Sequence, residues 1–202
     1  MPNNTETEIK LYVPHLEWVQ VRLERVGAKL TAPRVYERNV RYENAEKSLT
    51  PNDIVVRLRQ DSRTRLTYKE EPTVQAGVVS RTEIEVEVSD FDAMETILGK
   101  LGYHPHMVYE KYRTTYELDD AEIVLDEMPY GGFVEIEAEQ ANIETVIKRL
   151  QLGDAARFDG SYTTLFERVK DNLGLAFNDL TFDNFKDVTV PENAFQTTDP
   201  SR

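Results

Sequence analysis

Cysteine is absent from the 202 residues, which excludes disulfides, thiolate catalysis and a cysteine-based zinc site. Histidine and tryptophan are scarce, at three and one. His15, His104 and His106 fall at a helix start and in a loop, where solvent-facing or capping roles are expected. Trp18 sits near the apolar stripe of the first helix and is expected to pack rather than to stack on a base. No apolar run approaches the roughly 20 residues needed to span a bilayer. Positive charge is in deficit: 24 Lys and Arg against 37 Asp and Glu give a net charge of −13. That total argues against a nucleic-acid partner, which calls for a basic face. It leaves room for a small anion, because a cluster of bases in a cleft can dominate the local field.

What is present is a chain that can fold. The apolar share of 40% is enough for a core, and 30% of residues are charged. The length suits one domain, or one domain with a tail. The stretch Met-Pro-Asn-Asn-Thr-Glu is polar and acidic, unlike a secretory signal, so the expected location is the cytoplasm, with no membrane partner.

Period-two alternation recurs along the chain. It predicts eight strands: Thr5–Val13, Val35–Glu43, Ile54–Gln60, Thr64–Glu70, Ser80–Ser89, Val108–Leu118, Ala121–Glu127 and Gly132–Glu139. Helical spacing predicts four helices. One runs from Pro14 to Val26 and one from the cap Asp90 to Leu101. A third is capped by Asn142 and covers Ile143–Leu150, and a fourth covers Ser161–Leu173. After Gly174 the pattern weakens, and 175–202 reads as a tail with a short docked helix and a disordered end. Eight strands with mostly short connections suffice to close a small antiparallel barrel that holds one ligand.

The charges fall on particular strand faces. Side chains two apart point the same way. Thus Glu6, Glu8 and Lys10 share a face opposite Thr7, Ile9, Leu11 and Val13. Arg57 and Arg59 lie opposite Val56 and Leu58. Arg65, Thr67 and Lys69 form a third set, and Arg81, Glu83, Glu85 and Glu87 a fourth. Lys111 pairs with Arg113, and Glu135 with Glu137. A sheet with one solvated face is the plainer account. If the barrel closes and amphipathic helices cover its apolar exterior, however, the charged face is the interior. Buried charge is costly unless it is paired or binds ions. Guanidinium forks and ammonium groups suit phosphate oxygens, and carboxylates suit Mg²⁺ or Mn²⁺. Such an interior fits polyphosphate and metal, with acids on one side and bases on the other.

These residues resemble the CYTH superfamily of triphosphate tunnel metalloenzymes, which includes class IV adenylyl cyclases, thiamine triphosphatases and inorganic triphosphatases. The hallmark is Glu6-x-Glu8-x-Lys10. It is followed in order by Val56-Arg57-Leu58-Arg59, Leu66-Thr67-Tyr68-Lys69, Arg81-Thr82-Glu83-Ile84-Glu85 and Glu110-Lys111-Tyr112-Arg113. Val124-Leu125-Asp126-Glu127, Phe133-Val134-Glu135-Ile136-Glu137 and Ser161-Tyr162 complete the set. The likeness covers roughly residues 5 to 170. One departure is the hairpin Met128-Pro129-Tyr130-Gly131-Gly132, where many relatives have a Gly-Leu-Gly type turn.

The resemblance implies an α+β fold: a closed eight-stranded antiparallel β-barrel, or tunnel, with helices packed outside. On this view the tunnel domain spans 1–174 and the partly disordered C-terminal tail 175–202. It implies that Lys10, Arg57, Arg59, Lys69, Lys111 and Arg113 bind phosphate. It implies that Glu6, Glu8, Glu135 and Glu137 serve Mg²⁺ or Mn²⁺, with Glu85 and Asp126 as additions, and that Glu6, Glu8, Lys10 and Glu85 carry the chemistry. For Arg65, Arg81 and Glu87 a salt bridge across the tunnel is the competing role. The expected partner is a small triphosphate, bound by a monomer or a homodimer. Three activities follow: hydrolysis of the terminal phosphoanhydride, cyclisation of ATP to cyclic AMP and pyrophosphate, and polyphosphate or nucleotide sensing without turnover. A cyclase needs an adenine pocket, for which only Tyr130 and the stretch Glu71 to Val79 offer themselves.

Overall fold

The computed structural model describes residues 5–75, 78–158 and 160–196, with side chains from Thr7 onward. The strands are β1 (Thr5–Tyr12), β2 (Lys29–Asn44), β3 (Val55–Gln60), β4 (Thr64–Lys69) and β5 (Thr73–Gln75), then β6 (Val78–Val88), β7 (Tyr103–Leu118), β8 (Ala121–Met128), β9 (Gly131–Glu137) and β10 (Ala156–Phe158). The helices are α1 (Glu17–Arg25), α2 (Phe91–Lys100), α3 (Gln140–Arg149), α4 (Tyr162–Leu173) and α5 (Phe182–Phe185).

Eight strands form a closed antiparallel ring in the order β1-β9-β8-β7-β2-β3-β4-β6, which returns to β1. Closure comes from β1, which pairs with β9 through Glu8–Tyr12 and with β6 through Thr5–Glu8. The expected eight-stranded tunnel with outer helices is therefore the architecture. Two short strands add to it: β10 extends β1, and β5 folds back on β6.

β2 and β7 are longer than their alternation suggested, because both continue through prolines. The ladder shifts register between Leu30 and Ala32 and again between Ala32 and Val35, around Pro33, which has no N–H to donate. The third helix starts at Gln140 without a side-chain cap. Asn142 does not cap it, because its amide donates instead to the Asp119 carbonyl at 2.5 Å. Asp90 caps α2 as expected, accepting from the Ala93 N–H at 2.8 Å.

The outward faces are apolar, and helices cover much of them. Ile9, Leu11, Ile123, Val134 and Ile136 pack under Val19 and Leu23 of α1 and Ile143, Val146 and Ile147 of α3. Val40, Tyr42 and Leu58 pack under Leu98 of α2. A third cluster occupies one end of the ring. Tyr12, Met107, Tyr109, Met128 and Phe133 have inward parity on β1, β7, β8 and β9, and they meet Tyr162, Leu165, Phe166 and Val169 of α4.

The segment after Gly174 belongs to that cluster. Leu180 bridges β7, donating to the Val108 carbonyl and accepting from the Glu110 N–H, both at 2.9 Å. Phe195 is buried between the rings of Tyr12 at 4.8 Å and Tyr130 at 5.5 Å. The disorder expected at the chain's end falls on 197–202, outside the described residues.

The β8–β9 hairpin has its own constraint. A Cβ on Gly132 would lie 2.4 Å from the Val13 carbonyl oxygen, and Val13 N–H donates to the Gly132 carbonyl at 2.9 Å. Only glycine lets the two backbones approach so closely. Tyr130 in the turn is buried, and its hydroxyl donates to the Tyr162 carbonyl at 2.8 Å. It fastens α4 to the hairpin and is not free to read an adenine.

If the C-terminal segment is part of the core, Phe195→Ala should cost about 3–5 kcal/mol, as for other buried Phe→Ala changes. Urea unfolding measures this, and a loss below about 0.5 kcal/mol, the range of ordinary surface changes, would show the segment to be a loose appendage.

Candidate active site

The inward faces surround a cavity of about 530 Å³. Of the residues expected there, Glu8, Lys10, Arg57, Arg59, Lys69, Glu85, Lys111, Arg113, Glu135 and Glu137 line it. Asp126 does not join them. It has the inward parity of Glu122 on β8 but is fully buried beneath its own donors, accepting from Lys111 Nζ at 2.9 Å, from Arg113 Nε at 2.8 Å and from the Tyr162 hydroxyl at 2.8 Å. In this arrangement it orients Lys111 and Arg113. The Glu6 side chain lies outside the described residues, and its strand position is opposite Arg81.

The basic side is built by β2, β3, β4 and β7. Arg57 donates to the Tyr109 hydroxyl at 3.2 Å and to Thr67 Oγ1 at 3.1 Å, with Glu83 and Glu85 each 3.7 Å away. Arg59 donates to Glu85 at 3.1 Å and lies 3.6 Å from Glu37. Lys69 is paired with Glu83, and Arg65 with Asp61. Lys111 also approaches Glu37 at 3.6 Å. The expected separation of sign by wall is only partial. Glu83 and Glu85 of β6 face bases, and Glu85 is committed to Arg59 and Thr67 rather than gathered with the other acids.

Glu135 is likewise committed, with one oxygen on Lys10 at 2.5 Å and the other on Arg113 at 2.6 Å. Burial alone would raise its pKa, but Lys10, Arg113 and Lys111 hold it well below the usual carboxylate range. Glu37 behaves in the same way. Burial opposes ionisation, and Lys111, Arg113 and Arg59 outweigh it, leaving a pKa of about 2. These two carboxylates are ionised counter-charges for the bases.

The remaining acids form a row. Glu8 of β1, Glu137 of β9 and Glu122 of β8 sit directly opposite one another across three adjacent strands, and all three line the cavity. Burial raises the Glu137 pKa, and the like charges of Glu122 and Glu8 raise it further, to about 7. Among the described residues no three acidic or histidine side chains are already drawn into a coordination shell. The donor chemistry nonetheless fits Mg²⁺ or Mn²⁺: hard carboxylate oxygens whose mutual repulsion is only partly offset by Lys10, 4.0 Å from Glu8, and by Lys69, and which a divalent cation relieves.

Sequence reading missed Glu37, Asn39, Arg41 and Glu43 of β2, and Glu122 of β8. The signal was available for β2, where Glu37, Asn39, Arg41 and Glu43 alternate with Arg38, Val40 and Tyr42. His15, His104 and His106 are exposed and away from the cavity. Trp18 is 38% exposed, with the Arg22 guanidinium 4.4 Å over its ring, so it is not a core residue.

A charged interior enclosed by an antiparallel ring defines the class of β-tunnel proteins. Residues 4–155 match the CYTH domain family, and the chain belongs to that family. A Methanocaldococcus jannaschii protein named as a putative adenylate cyclase is 27% identical over 148 residues, covering 72% of this chain and 83% of that protein. The solved structure of a Vibrio parahaemolyticus protein, also named a putative adenylate cyclase, aligns with TM-score 0.67 and 17% identity, covering 81% of this chain and 98% of that one. A Hippeastrum protein, described as a putative adenylyl cyclase that reveals a dominant triphosphatase activity, aligns with TM-score 0.63 and 18% identity, covering 80% and 95%. No helix among the described residues is long and apolar enough to cross a membrane.

The raised Glu137 pKa has a defined sign. Between about pH 4.5 and 7 the folded carboxyl keeps a proton that the unfolded chain has lost, so its contribution to stability falls as pH rises. Glu137→Gln should remove that slope. Unfolding free energies of both proteins across pH 4–8 measure it, and a constant difference between them would refute the raised value.

Proposed function

We propose that this protein is a metal-dependent triphosphatase, which hydrolyses the terminal phosphoanhydride of an inorganic or organic triphosphate held in the tunnel. The observation that carries this reading is the cavity wall of forked and point-charge bases facing the carboxylate row Glu8, Glu137 and Glu122. Lys10, Arg57, Arg59, Lys69, Lys111 and Arg113 hold phosphate oxygens, their directions set by Asp126, Glu37, Glu85 and Glu135. Glu8 and Glu137, with Glu122 beside them, would hold Mg²⁺ or Mn²⁺, joined by Glu6, whose two-residue spacing from Glu8 is a feature of the sequence. A metal held there would supply positive charge to the phosphate and a more acidic water. The chain's own part is positioning and charge stabilisation for in-line attack, which needs little movement of groups already locked by hydrogen bonds.

Cyclisation of ATP is the second reading, favoured by the name of the Methanocaldococcus jannaschii relative. The lining argues for hydrolysis. Its aromatic side chains are Tyr109 and Tyr162. Both are buried and fastened into the wall, with hydroxyls on Arg57 and Asp126. Neither presents a face on which an adenine stacks. The dominant triphosphatase activity ascribed to the Hippeastrum protein agrees with this preference.

Incubation with tripolyphosphate, ATP or thiamine triphosphate, with Mg²⁺ or Mn²⁺, followed by product identification, separates the readings. Orthophosphate is expected; pyrophosphate with cyclic AMP would replace hydrolysis by cyclisation. Arg57→Ala and Glu8→Gln should each lower kcat/KM by roughly 100-fold or more, as for loss of one preorganised electrostatic group. Normal turnover in both, with circular dichroism unchanged, would remove these residues from the site.

A further inference from the structure

Arg41 differs from every other buried base of the tunnel. Lys10, Arg57, Arg59 and Lys111 are also buried. Each of these has a carboxylate within 4.0 Å: Glu135, Glu83, Glu85 and Asp126 respectively. Arg41 is only 9% exposed, lines the cavity, and makes no ion pair among the described residues. Its hydrogen-bond partner is Thr163 Oγ1, in the first turn of α4. Glu43, on the same face of β2, accepts from the backbone N–H groups of Asn44, Leu49 and Thr50 at 3.0, 2.9 and 2.9 Å. It is therefore occupied by a neighbouring turn. Burial opposes the Arg41 charge, Tyr109 and, more weakly, Glu43 favour it, and two more guanidiniums, Arg81 and Arg57, oppose it. Asn39, two residues away with the same parity, is fully buried with neither amide atom bonded to protein.

A buried charge without a counter-ion is destabilising, and folds retain one where a ligand supplies the opposite charge. The position is also informative. Arg41 is the register partner of Met107, a member of the aromatic cluster that fills one end of the ring along β1, β7, β8 and β9. The first turn of α4 reaches the same place, with Ser161, Tyr162 and Thr163 on the cavity lining. The N-terminal end of that helix adds partial positive charge.

We propose that Arg41, held by Thr163, is a further substrate-binding residue that takes a phosphoryl group at the inner end of the tunnel. The substrate then enters with a free phosphate end first, and any organic group stays toward the opposite opening, where Asp61, Ser62 and Arg63 lie. This rests on the triphosphate reading above and adds a direction to it. It sets the substrate class as polyphosphates with at least one uncapped end: inorganic tripolyphosphate and mono-esterified triphosphates, but not chains capped at both ends.

Calorimetric titration of tripolyphosphate in the presence of EDTA, with thermal melts of the same samples, tests it. Arg41→Met should weaken binding on the order of tenfold to a hundredfold, as for loss of a bidentate charged contact. Its melting temperature without ligand should equal or exceed that of the wild type, because an unpaired buried charge has been removed. Arg41→Lys should fall between the two in affinity. Diadenosine pentaphosphate, capped at both ends, should compete at least a hundredfold less well than tripolyphosphate. Affinity within twofold of wild type in Arg41→Met overturns the proposal. So does a loss of ligand-free stability with affinity retained, which would make Arg41 a tether for α4 and nothing more. If Arg41→Met does not fold, wild-type affinity in Arg41→Lys overturns it. Equal competition by the capped chain overturns the entry direction. If the wild type neither binds nor turns over any triphosphate, the triphosphate reading itself falls; binding by the wild type with Arg41→Met unaffected sinks only the subsite.

Discussion

A carboxylate with no access to solvent organises the tunnel wall. Asp126 takes Lys111, both arms of Arg113 and the Tyr162 hydroxyl. It thereby joins β7, β8 and α4 through one buried group. Such a charge is tolerated because both oxygens accept from strong donors, Oδ1 from Arg113 and Oδ2 from Lys111, Arg113 and Tyr162. Its neighbours are likewise placed between bases. Glu135 bridges Lys10 to Arg113, and Glu37 lies between Lys111 and Arg59. The bases that face the cavity are thus held in place by acids of the same interior, of which Glu37 and Glu135 share the lining with them.

This arrangement couples packing to chemistry. Closing the ring puts one face of every strand in a shared interior, and the apolar opposite face supplies the surface on which α1, α2 and α3 pack. The interior is then divided by depth. One end is filled by aromatic rings and α4, the middle by compensated ion pairs, and the row Glu8, Glu137 and Glu122 keeps a repulsion that Lys10 and Lys69 relieve only in part. Compensated pairs keep the bases rigid, whereas the incompletely compensated groups are those that a ligand or metal can stabilise.

Much of this was legible in the chain. Alternation on β1, β3, β4, β6, β7 and β9 gave the strands and their charged faces, since period two fixes which residues share a side. The roles were less legible, because a strand pattern says which way a side chain points and not what it meets across the ring. Asp126 and Glu135 read as metal ligands, yet they spend their oxygens on bases supplied by strands far away in sequence. Arg41 was visible in the alternation of β2 but had no partner pattern to mark it. Its distinction is the lack of a counter-ion, which only the folded interior reveals. Phe195 and Leu180 gave no periodic signal, since isolated residues of an irregular segment dock on the ring, Phe195 among four aromatic rings and Leu180 by two backbone hydrogen bonds.

The closure through β1 also governs the route by which the chain folds. β1 precedes all the other strands, but its partners β6 and β9 come much later, and the Lys10–Glu135 contact spans 125 residues. Hairpins such as β3–β4 and β8–β9 are local and can form early, whereas the ring cannot close until its first strand is captured between two late ones. Such separations mean a high contact order and slow folding. Until that step the edges of β6 and β9 stand open to other chains. The strand that carries Glu8 and Lys10 is therefore also the latch of the fold, and damage to it would be felt as misassembly during folding as much as lost chemistry afterward.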